Sequence, residues 1–469
     1  MIKPVFLWTD SLLMFLVVTI VAFIFYVRSK EHLHEPWREI FKSRIALASM
    51  LILLIYILVA LLDSMHFRQA LPETEGQLET QYSGDVLSVL DVLMTPLREQ
   101  VEITYSAPFA AHAHSRETRT GEDGSQTRIY PRLKFGGVHL TDPQTERSGD
   151  VLQRLFIVVV KTVLGIIGLY ALLAILLARR WQTDLKQAAI RLLSRKQSVS
   201  WKTLLLMMAL VMFVIIFIAD IGRHYHILGT DKVGQDVLYQ AIKSIRTGLI
   251  IGTLTTLIML PFAVTLGLMA GYYRGWVDDV IQYLYTTLNS IPGVLLIAAA
   301  ILMLQVYMAN HPDMFETMAE RADMRLLFLC VILGVTTWTG LCRLLRGESL
   351  KLKELEYVQA ADAFGVSGLR ILTRHLLPNL THLILIAVVL DFSGLVLAEA
   401  VLSYVGVGVD PTMLSWGNMI NRARLEMARE PMVWWSLLAA FIFMFTLVLS
   451  ANLFSDAVRD AFDPRMRHR

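Results

Sequence analysis

The amino-acid sequence predicts an all-α polytopic membrane protein. Of its 469 residues, 55% are hydrophobic and only 18% are charged, whereas a soluble domain of this size carries roughly a quarter charged residues. The apolar residues also gather in long uncharged runs, and about 20 consecutive apolar residues cross a bilayer core as a helix. The net charge of +3 is too small to suggest nucleic acid as a partner.

Apolar runs of this kind predict about nine transmembrane helices. They cover residues 7–27, 45–62, 155–178, 203–220, 247–271, 279–307, 326–342, 381–402 and 433–453. The first run is expected to be an uncleaved span and not a signal peptide, because Arg28 and Lys30 follow its apolar stretch instead of preceding it.

The distribution of Lys and Arg predicts the orientation, since cytoplasmic loops carry an excess of both. With the N-terminus outside, the cytoplasmic segments are 28–44, 179–202, 272–278, 343–380 and 454–469, which together hold 23 basic residues. The short outside segments hold 10. We therefore expect a bacterial inner-membrane protein with a periplasmic N-terminus and a cytoplasmic C-terminus.

One long outside segment, residues 63–150, predicts an inserted periplasmic α+β domain of unknown role. Alternation of polar and apolar residues at 127–130 and 133–135 suggests short strands within it. The expected organisation is N-terminal transmembrane helices with a basic cytoplasmic linker (1–62), this inserted domain (63–150), an extra transmembrane helix with a cytoplasmic linker (151–202), and the main transmembrane core (203–469) with its cytoplasmic loop 343–380.

The cytoplasmic loop holds the most informative segment. Residues 353–364 are mostly good helix formers, Gly365 supplies a helix stop, and a second helix over 367–376 precedes Pro378. Apolar residues at every third position are expected to form one stripe: Leu355, Val358, Ala361 and Phe364. From spacing alone, such a helix either transmits a push from a docked partner into the membrane or lies on the lipid headgroups.

This segment resembles the cytoplasmic signature loop of ABC importer permeases. Ala360, Ala361, Gly365, Leu377 and Pro378 match that pattern, whereas Gln359 stands where the family usually has Glu. Further stretches resemble the oligopeptide, dipeptide and nickel branch of the family and follow its order: residues 226–237, 271–278, 398–408, 415–419 and 460–465. Gln235 stands where this branch commonly has Arg.

The resemblance implies a permease subunit with a six-helix core. Residues 36–62 resemble the start of such permeases. It implies two sets of functional residues. Those expected to couple to the ATPase are Glu356, Tyr357, Gln359, Ala360, Ala361, Gly365 and Pro378, and those of the periplasmic loop are Gly229, Thr230, Asp231, Gly234 and Asp236.

The same resemblance implies the partners. They are a second permease subunit, two ATPase subunits that hold the ATP and Mg²⁺, a periplasmic substrate-binding protein and membrane lipid. No cofactor is expected on this chain itself. Peptides are the expected substrates because most members of the branch transport them, and nickel, opines and sugars are the alternatives.

Two carboxylates fall inside the predicted span 381–402. Asp391 and Glu399 are candidates for the translocation path, because intramembrane carboxylates usually face a bundle interior or a water-filled route. The alternative for Asp391 is a structural hydrogen bond to a neighbouring helix. Glu399 lies nearer the outer surface, where a structural part in the outer gate is the expectation.

Motifs for other functions are absent from the sequence. It contains no Gly-x-x-x-x-Gly-Lys-Ser/Thr loop for ATP and no Gly-x-Ser-x-Gly or His-Glu-x-x-His, so no enzyme activity is expected. Two His-x-His pairs, at 112–114 and 224–226, lack a third ligand at recognisable spacing and are predicted to lie in solvated loops without metal. A membrane-anchored periplasmic sensor or assembly protein is the alternative from another class.

Overall fold

A computed structural model describes residues 2–28, 37, 39–71, 81–120, 126–192, 200–315 and 317–462. Pro36, and residues 463–465 of the predicted C-terminal motif, lie outside these ranges. The described chain is mainly helical, as predicted. Within it, eight helical stretches are long and apolar enough to cross a membrane, and the first helix adds a shorter apolar stretch, Trp8–Ala22.

The helices follow the predicted runs in order. They are α1 (Trp8–Arg28), α2 (Arg44–Asp63), α3 (Val89–Leu93), α4 (Thr95–Glu99), α5 (Pro143–Trp181), α6 (Leu185–Leu192), α7 (Trp201–Ile221), α8 (Val237–Tyr273), α9 (Gly275–Ser290), α10 (Gly293–Asn310), α11 (Met318–Thr337), α12 (Thr339–Lys353), α13 (Glu356–Ala363), α14 (Gly368–Ile371), α15 (Leu377–Tyr404), α16 (Trp416–Glu426) and α17 (Trp435–Phe462). A 3₁₀ turn (Pro312–Met314) follows α10, and a π-helical turn (Leu372–Leu376) joins α14 to α15.

One predicted span is wrong, because it is not a single continuous helix. Residues 279–307 form two helices, α9 and α10, because Ile291 is extended (φ −89°, ψ 128°) immediately before Pro292. A residue before proline avoids the helical region, since the proline ring clashes with its backbone. Pro261, in contrast, lies within α8 without ending it.

Helix α8 lies at the centre of the bundle and packs against α2, α11, α12 and α15. Small residues allow the close approach of α12. A side chain at Gly267 would place its Cβ 2.8 Å from the carbonyl oxygen of Cys342, which is closer than real Cβ contacts. Small residues in membrane helices commonly permit such backbone contact.

The packing groups α2 with helices that follow residue 236. Helix α2 packs against α8 and α17, whereas α7 packs mainly against α5. The core is therefore built from α2, α8, α9–α10, α11–α12, α15 and α17, and residues 64–236 intervene between its first and second helices.

The inserted segment contributes strands to two small antiparallel sheets. One has the strand order β1 (Ile2–Val5), β2 (His66–Gln69), β3 (Leu87–Ser88), and the other pairs β4 (Glu117–Thr120) with β5 (Gln126–Ile129). The predicted strand at 127–130 overlaps β5 over residues 127–129, and Tyr130 lies beyond the end of the strand. The predicted strand at 133–135 does not form, because the N–H groups of Lys134 and Phe135 donate to the Glu102 carboxylate instead of a neighbouring strand.

The first sheet joins the N-terminus to the inserted segment. Ile2 pairs with Gln69 and Val5 with His66, so β1 and β2 are hydrogen-bonded along their whole length. The predicted boundary at residue 62 therefore separates strands of one sheet.

Candidate coupling segment and outer loop

The coupling segment, residues 354–379, lies at the end of the bundle that is predicted to be cytoplasmic. Its first helix begins at Glu356, three residues later than predicted, because α12 extends to Lys353 and a turn at Glu354 follows. Its second helix runs through the π-helical turn directly into α15. Pro378 therefore lies in the first turn of α15, where its missing N–H is tolerated.

An apolar anchor and one polar contact hold α13 to the core, and a further contact joins the end of α12 to Tyr272. Val358 is buried in a cluster that includes Tyr272, Ile371 and Leu376. The Tyr272 hydroxyl donates to Asp362 at 3.2 Å, and the Lys353 ammonium donates to the Tyr272 carbonyl at 2.8 Å. A displacement of α13 would therefore be transmitted to the last turn of α8.

The predicted apolar stripe divides into two faces. Val358 and Ala361 pack inward, whereas Leu355 and Phe364 are exposed, the latter to 88%. Because three residues turn an α-helix by about 300°, each step rotates the stripe by 60°, and Phe364 lies two steps from the buried Val358. Phe364 and the 69%-exposed Leu369 are large apolar side chains that the described part of the chain leaves uncovered.

The other predicted coupling residues are mostly exposed as well. Glu356, Tyr357, Gln359, Ala360, Gly365 and Pro378 are exposed. Gly365 has a φ of +74° and ends α13, as predicted. The amide of Gln359 donates to the Glu354 carbonyl at 3.2 Å, a bond that the family's usual Glu cannot make when ionised.

At the end of the bundle that is predicted to lie outside, opposite the coupling segment, residues 226–237 form a tight loop, called here the outer loop. The Asp231 carboxylate accepts from the N–H groups of Val233 and Gln235 and from the side chain of Gln240. The Thr230 carbonyl accepts from the Trp435 indole at 2.9 Å. The predicted outer-loop residues therefore fix the loop against α17.

The same loop binds the inserted segment. The Thr230 hydroxyl donates to the Thr104 carbonyl and accepts from the Ser106 N–H. Gly229 and Gly234 have φ of +69° and +77°, and each lies so close to the inserted segment that a side chain would overlap a backbone oxygen there.

His226 joins this loop to the inserted segment, and the prediction that it is solvated is wrong. Its imidazole is buried between Asp236, at 2.9 Å, and Glu102, at 3.4 Å. Burial opposes the imidazolium, but the hydrogen bonds and charges of the two carboxylates prevail and raise the pKa of His226 to about 9. Asp236 also caps α8 by accepting from the Tyr239 N–H at 3.0 Å.

Glu102 is the anion that pairs with the His226 imidazolium. Burial favours its neutral form, but His226 and the N–H groups of Lys134, Phe135 and Gly136 lower its pKa to about 2. His114, from the other predicted pair, packs edge-on against the Trp435 ring. Among the described residues, no group of three potential metal ligands is found.

The first turns of α8 present a polar face that the sequence analysis missed. Tyr239 and Lys243 bind Asp91 at 2.6 and 2.8 Å, and Arg246 binds Asp10 of α1 at 2.6 Å. The signal was available: polar residues at positions i, i+4 and i+7 share one face of a helix. Their acidic partners lie far away in the sequence.

The two intramembrane carboxylates occupy different surroundings. Asp391 is half-buried on α15 and makes no hydrogen bond or ion pair with any described residue. Glu399 is buried and accepts from the hydroxyls of Ser403 at 2.7 Å and Ser415 at 3.0 Å. Ser415 also caps α16, so Glu399 connects α15 to the start of α16.

Comparisons with known proteins are consistent with this geometry. Residues 263–468 match the family model described as binding-protein-dependent transport system inner membrane component. The glutathione transport system permease protein GsiD of Pectobacterium atrosepticum is 32% identical over 244 residues, 52% of this chain and 73% of the relative. The oligopeptide transport system permease protein OppC of Mycobacterium tuberculosis is 31% identical, covering 52% and 77%. The dipeptide transport system permease protein DppC of Bacillus subtilis is 30% identical, covering 52% and 69%.

Proposed function

The chain belongs to the family of binding-protein-dependent transport system inner membrane components, as a transport subunit and not an enzyme, and from this premise we propose that it forms one half of the translocation path of an ATP-driven peptide importer. In this proposal a second permease subunit completes the path. Two ATPase subunits, which carry the ATP and Mg²⁺, dock on the coupling segments. A periplasmic substrate-binding protein delivers the substrate.

The observation that carries this proposal is the division of α13 into two faces. Val358 anchors the helix to the core, while Phe364 is 88% exposed at the surface. Large exposed apolar side chains that are grouped together commonly mark a protein interface. A partner that binds Phe364 would move α13, and the bond between Asp362 and Tyr272 would pass this motion to α8.

The path itself is proposed to include Asp391. A carboxylate within a membrane helix is costly unless it faces another polar group or water, and Asp391 has no such partner among the described residues. In this proposal the second permease, or water in the path, supplies the polar group that Asp391 lacks. A carboxylate there suits the ammonium group of a peptide, and the named substrates of the relatives support a peptide class.

The proposal includes the predicted orientation. The coupling segment lies in the cytoplasm, the inserted segment and the N-terminus lie in the periplasm, and the C-terminus is cytoplasmic. The excess of Lys and Arg in the predicted cytoplasmic loops supports this arrangement.

Affinity co-purification from detergent-solubilised membranes tests the proposal. The tagged chain should recover an ATPase and a second permease, and Phe364→Ala should lose the ATPase while keeping the permease. The matched control is Ile190→Ala, which removes another exposed apolar side chain (70%) from a predicted cytoplasmic helix. Recovery of neither protein by the wild-type chain in several mild detergents would instead favour a sensor or assembly role.

A further inference from the structure

The short helix α6 joins the neighbouring ends of the helix pair α5 and α7. These two long helices pack against each other, and α6 packs against α5. The Tyr170 hydroxyl, which lies well before the end of α5 at Trp181, donates to the Ala189 carbonyl of α6 at 2.9 Å. Helix α6 therefore folds back along the last turns of α5. With only 8 residues it is too short to cross a bilayer itself.

The turns of α5 along which α6 folds back are apolar and largely uncovered. Leu172, Ile175 and Leu176 are exposed, and the stretch Pro143–Arg180 is long and apolar enough to cross a membrane. A helix whose exposed residues are apolar faces lipid and not water. Helix α6 therefore lies beside lipid, near the level at which the hydrocarbon meets the headgroups.

The side chains of α6 suit this level. Ala188 is buried, whereas Leu185 and Ile190 are 52% and 70% exposed. Lys186 lies one helical turn before Ile190 and Arg191 follows it directly, and both of these basic side chains are exposed. A helix that exposes apolar and cationic side chains together is typical of one that lies in the membrane interface.

The positive charge at this end of the helix pair is not balanced. In the described parts of residues 179–202, the acidic residue is Asp184, and the exposed basic residues are Arg179, Arg180, Lys186, Arg191 and Lys202. None of these basic side chains forms an ion pair with a described carboxylate. The Asp184 carboxylate accepts from the Leu185 N–H at 2.9 Å. Basic clusters that adjoin a membrane helix commonly bind anionic lipid headgroups.

We propose that α6, together with the ends of α5 and α7 that it joins, binds an anionic phospholipid. The basic side chains contact the phosphate and headgroup, while Leu185 and Ile190 contact the first methylene groups of the acyl chains. The position of α6 beside the lipid-facing turns of α5 favours a lipid over an acidic protein, which would approach from the water. This inference goes beyond the proposed transport function and does not depend on it.

Native mass spectrometry of the purified full chain in detergent tests the inference. Dioleoylphosphatidylglycerol is the anionic probe, and dioleoylphosphatidylcholine is the zwitterionic one. The wild-type chain should bind phosphatidylglycerol more tightly than phosphatidylcholine, and Lys186→Gln with Arg191→Gln should weaken the binding of phosphatidylglycerol by about tenfold. The matched control is Lys232→Gln with Arg422→Gln, which removes an equal charge from exposed positions of the outer loop and α16. This control should bind phosphatidylglycerol as the wild-type chain does.

Hydrogen exchange of residues 185–192 in lipid nanodiscs locates the binding on α6 and needs no substitution, so it stays decisive even where a variant fails to fold. Exchange should be slower in nanodiscs of phosphatidylglycerol than in those of phosphatidylcholine, relative to residues 356–363 of α13, which correct for the local pH at an anionic surface.

Equal binding of the two lipids, or an equal loss of binding in the control variant, would overturn the inference. So would protection of residues 185–192 that is the same in both lipids and appears only when an ATPase co-purifies, because α6 would then contact a protein. The proposed transport function would stand in each of these cases.

Discussion

Arg246 of α8 and Asp10 of α1 form a two-point ion pair, in which Nε and an Nη atom lie 2.9 and 2.6 Å from the same carboxylate oxygen. Both side chains are almost fully buried. Asp10 also binds His66 of β2 at 2.8 Å, and Asp323 of α11 lies 3.6 Å from Arg246. The pair therefore joins the N-terminal helix, the inserted segment and two core helices at one point.

Loss of the cation should destabilise the fold strongly. Removing one partner of a buried pair leaves the other charge uncompensated, which costs about 3–5 kcal/mol. Arg246→Ala should therefore lower the thermal midpoint of the purified chain in detergent by many degrees. The control is Lys351→Ala, whose pair with Glu348 is exposed and should contribute less than about 1 kcal/mol. Equal midpoints for the two variants would contradict this prediction.

The double variant Asp10→Asn with Arg246→Gln measures the interaction between these two side chains apart from their contacts with other residues. Because each single change leaves the other group without its partner, the two costs should not add, and the double variant should lose less than their sum. Strict additivity would show that the two side chains act independently.

The stability of the contact between the inserted segment and the loop at residues 226–237 should depend on pH. The pKa of His226 rises from 6.5 to about 9 in the folded chain, so its contribution is complete below pH 6.5 and is lost as the pH rises through 9. By linkage, this contribution is on the order of 3 kcal/mol. Hydrogen exchange of residues 100–120 and 126–136 should accelerate between pH 7 and 9.5, after correction for the intrinsic rate.

Glu102 sets the acidic limit of the same contact. Its pKa falls from 4.5 to about 2 on folding, so its stabilisation is present above pH 4.5 and is lost as the pH falls toward 2. The His226→Gln variant should lose the dependence at alkaline pH and keep the part of the acidic one that comes from the N–H groups of Lys134, Phe135 and Gly136. An unchanged alkaline profile in this variant would exclude His226 as its source.

Two glycines of similar backbone conformation should respond differently to alanine. Gly234 (φ +77°) and Gly406 (φ +87°) both occupy the left-handed region, where a side chain costs roughly 1–2 kcal/mol. A Cβ at Gly406 meets open space, whereas one at Gly234 would overlap the Glu102 backbone. Gly234→Ala should therefore destabilise the chain more and expose Glu102, as measured by the thermal midpoint and hydrogen exchange. Equal losses would contradict a close contact at Gly234.

The sequence predicted the spans and the coupling segment because both depend on local patterns. Apolar runs indicate membrane helices whatever their tertiary packing, and Gly365 ends α13 through its own backbone preference. The division of the apolar stripe was also calculable from the helical repeat, since Phe364 lies 120° from Val358.

The inserted segment and its docking could not be predicted in the same way. His226 and Glu102 are separated by 124 positions, and the Arg246–Asp10 pair by 236. A single sequence contains no local signal for such pairs, and an isolated His in a loop is usually solvated. The position of α2 in the core likewise follows from packing across the intervening residues 64–236.

The two carboxylates of α15 should separate transport from stability. Asp391 has no hydrogen-bonding partner among the described residues, so Asp391→Asn removes a costly charge and should leave the thermal midpoint unchanged or raise it. If Asp391 lines the path, uptake of a labelled tripeptide should fall about tenfold. That corresponds to roughly 1.4 kcal/mol, the size of one charge-assisted hydrogen bond.

Glu399 should show the opposite pattern. Its carboxylate oxygen accepts from Ser403 and Ser415, and a Cβ at Gly417 would lie only 2.6 Å from that oxygen. Glu399→Ala would leave both hydroxyls buried without this acceptor, which costs about 1–3 kcal/mol for each unsatisfied group. We expect a lower thermal midpoint, with uptake reduced only in proportion to the folded chain. A variant of normal stability that fails in uptake would instead place Glu399 in the path.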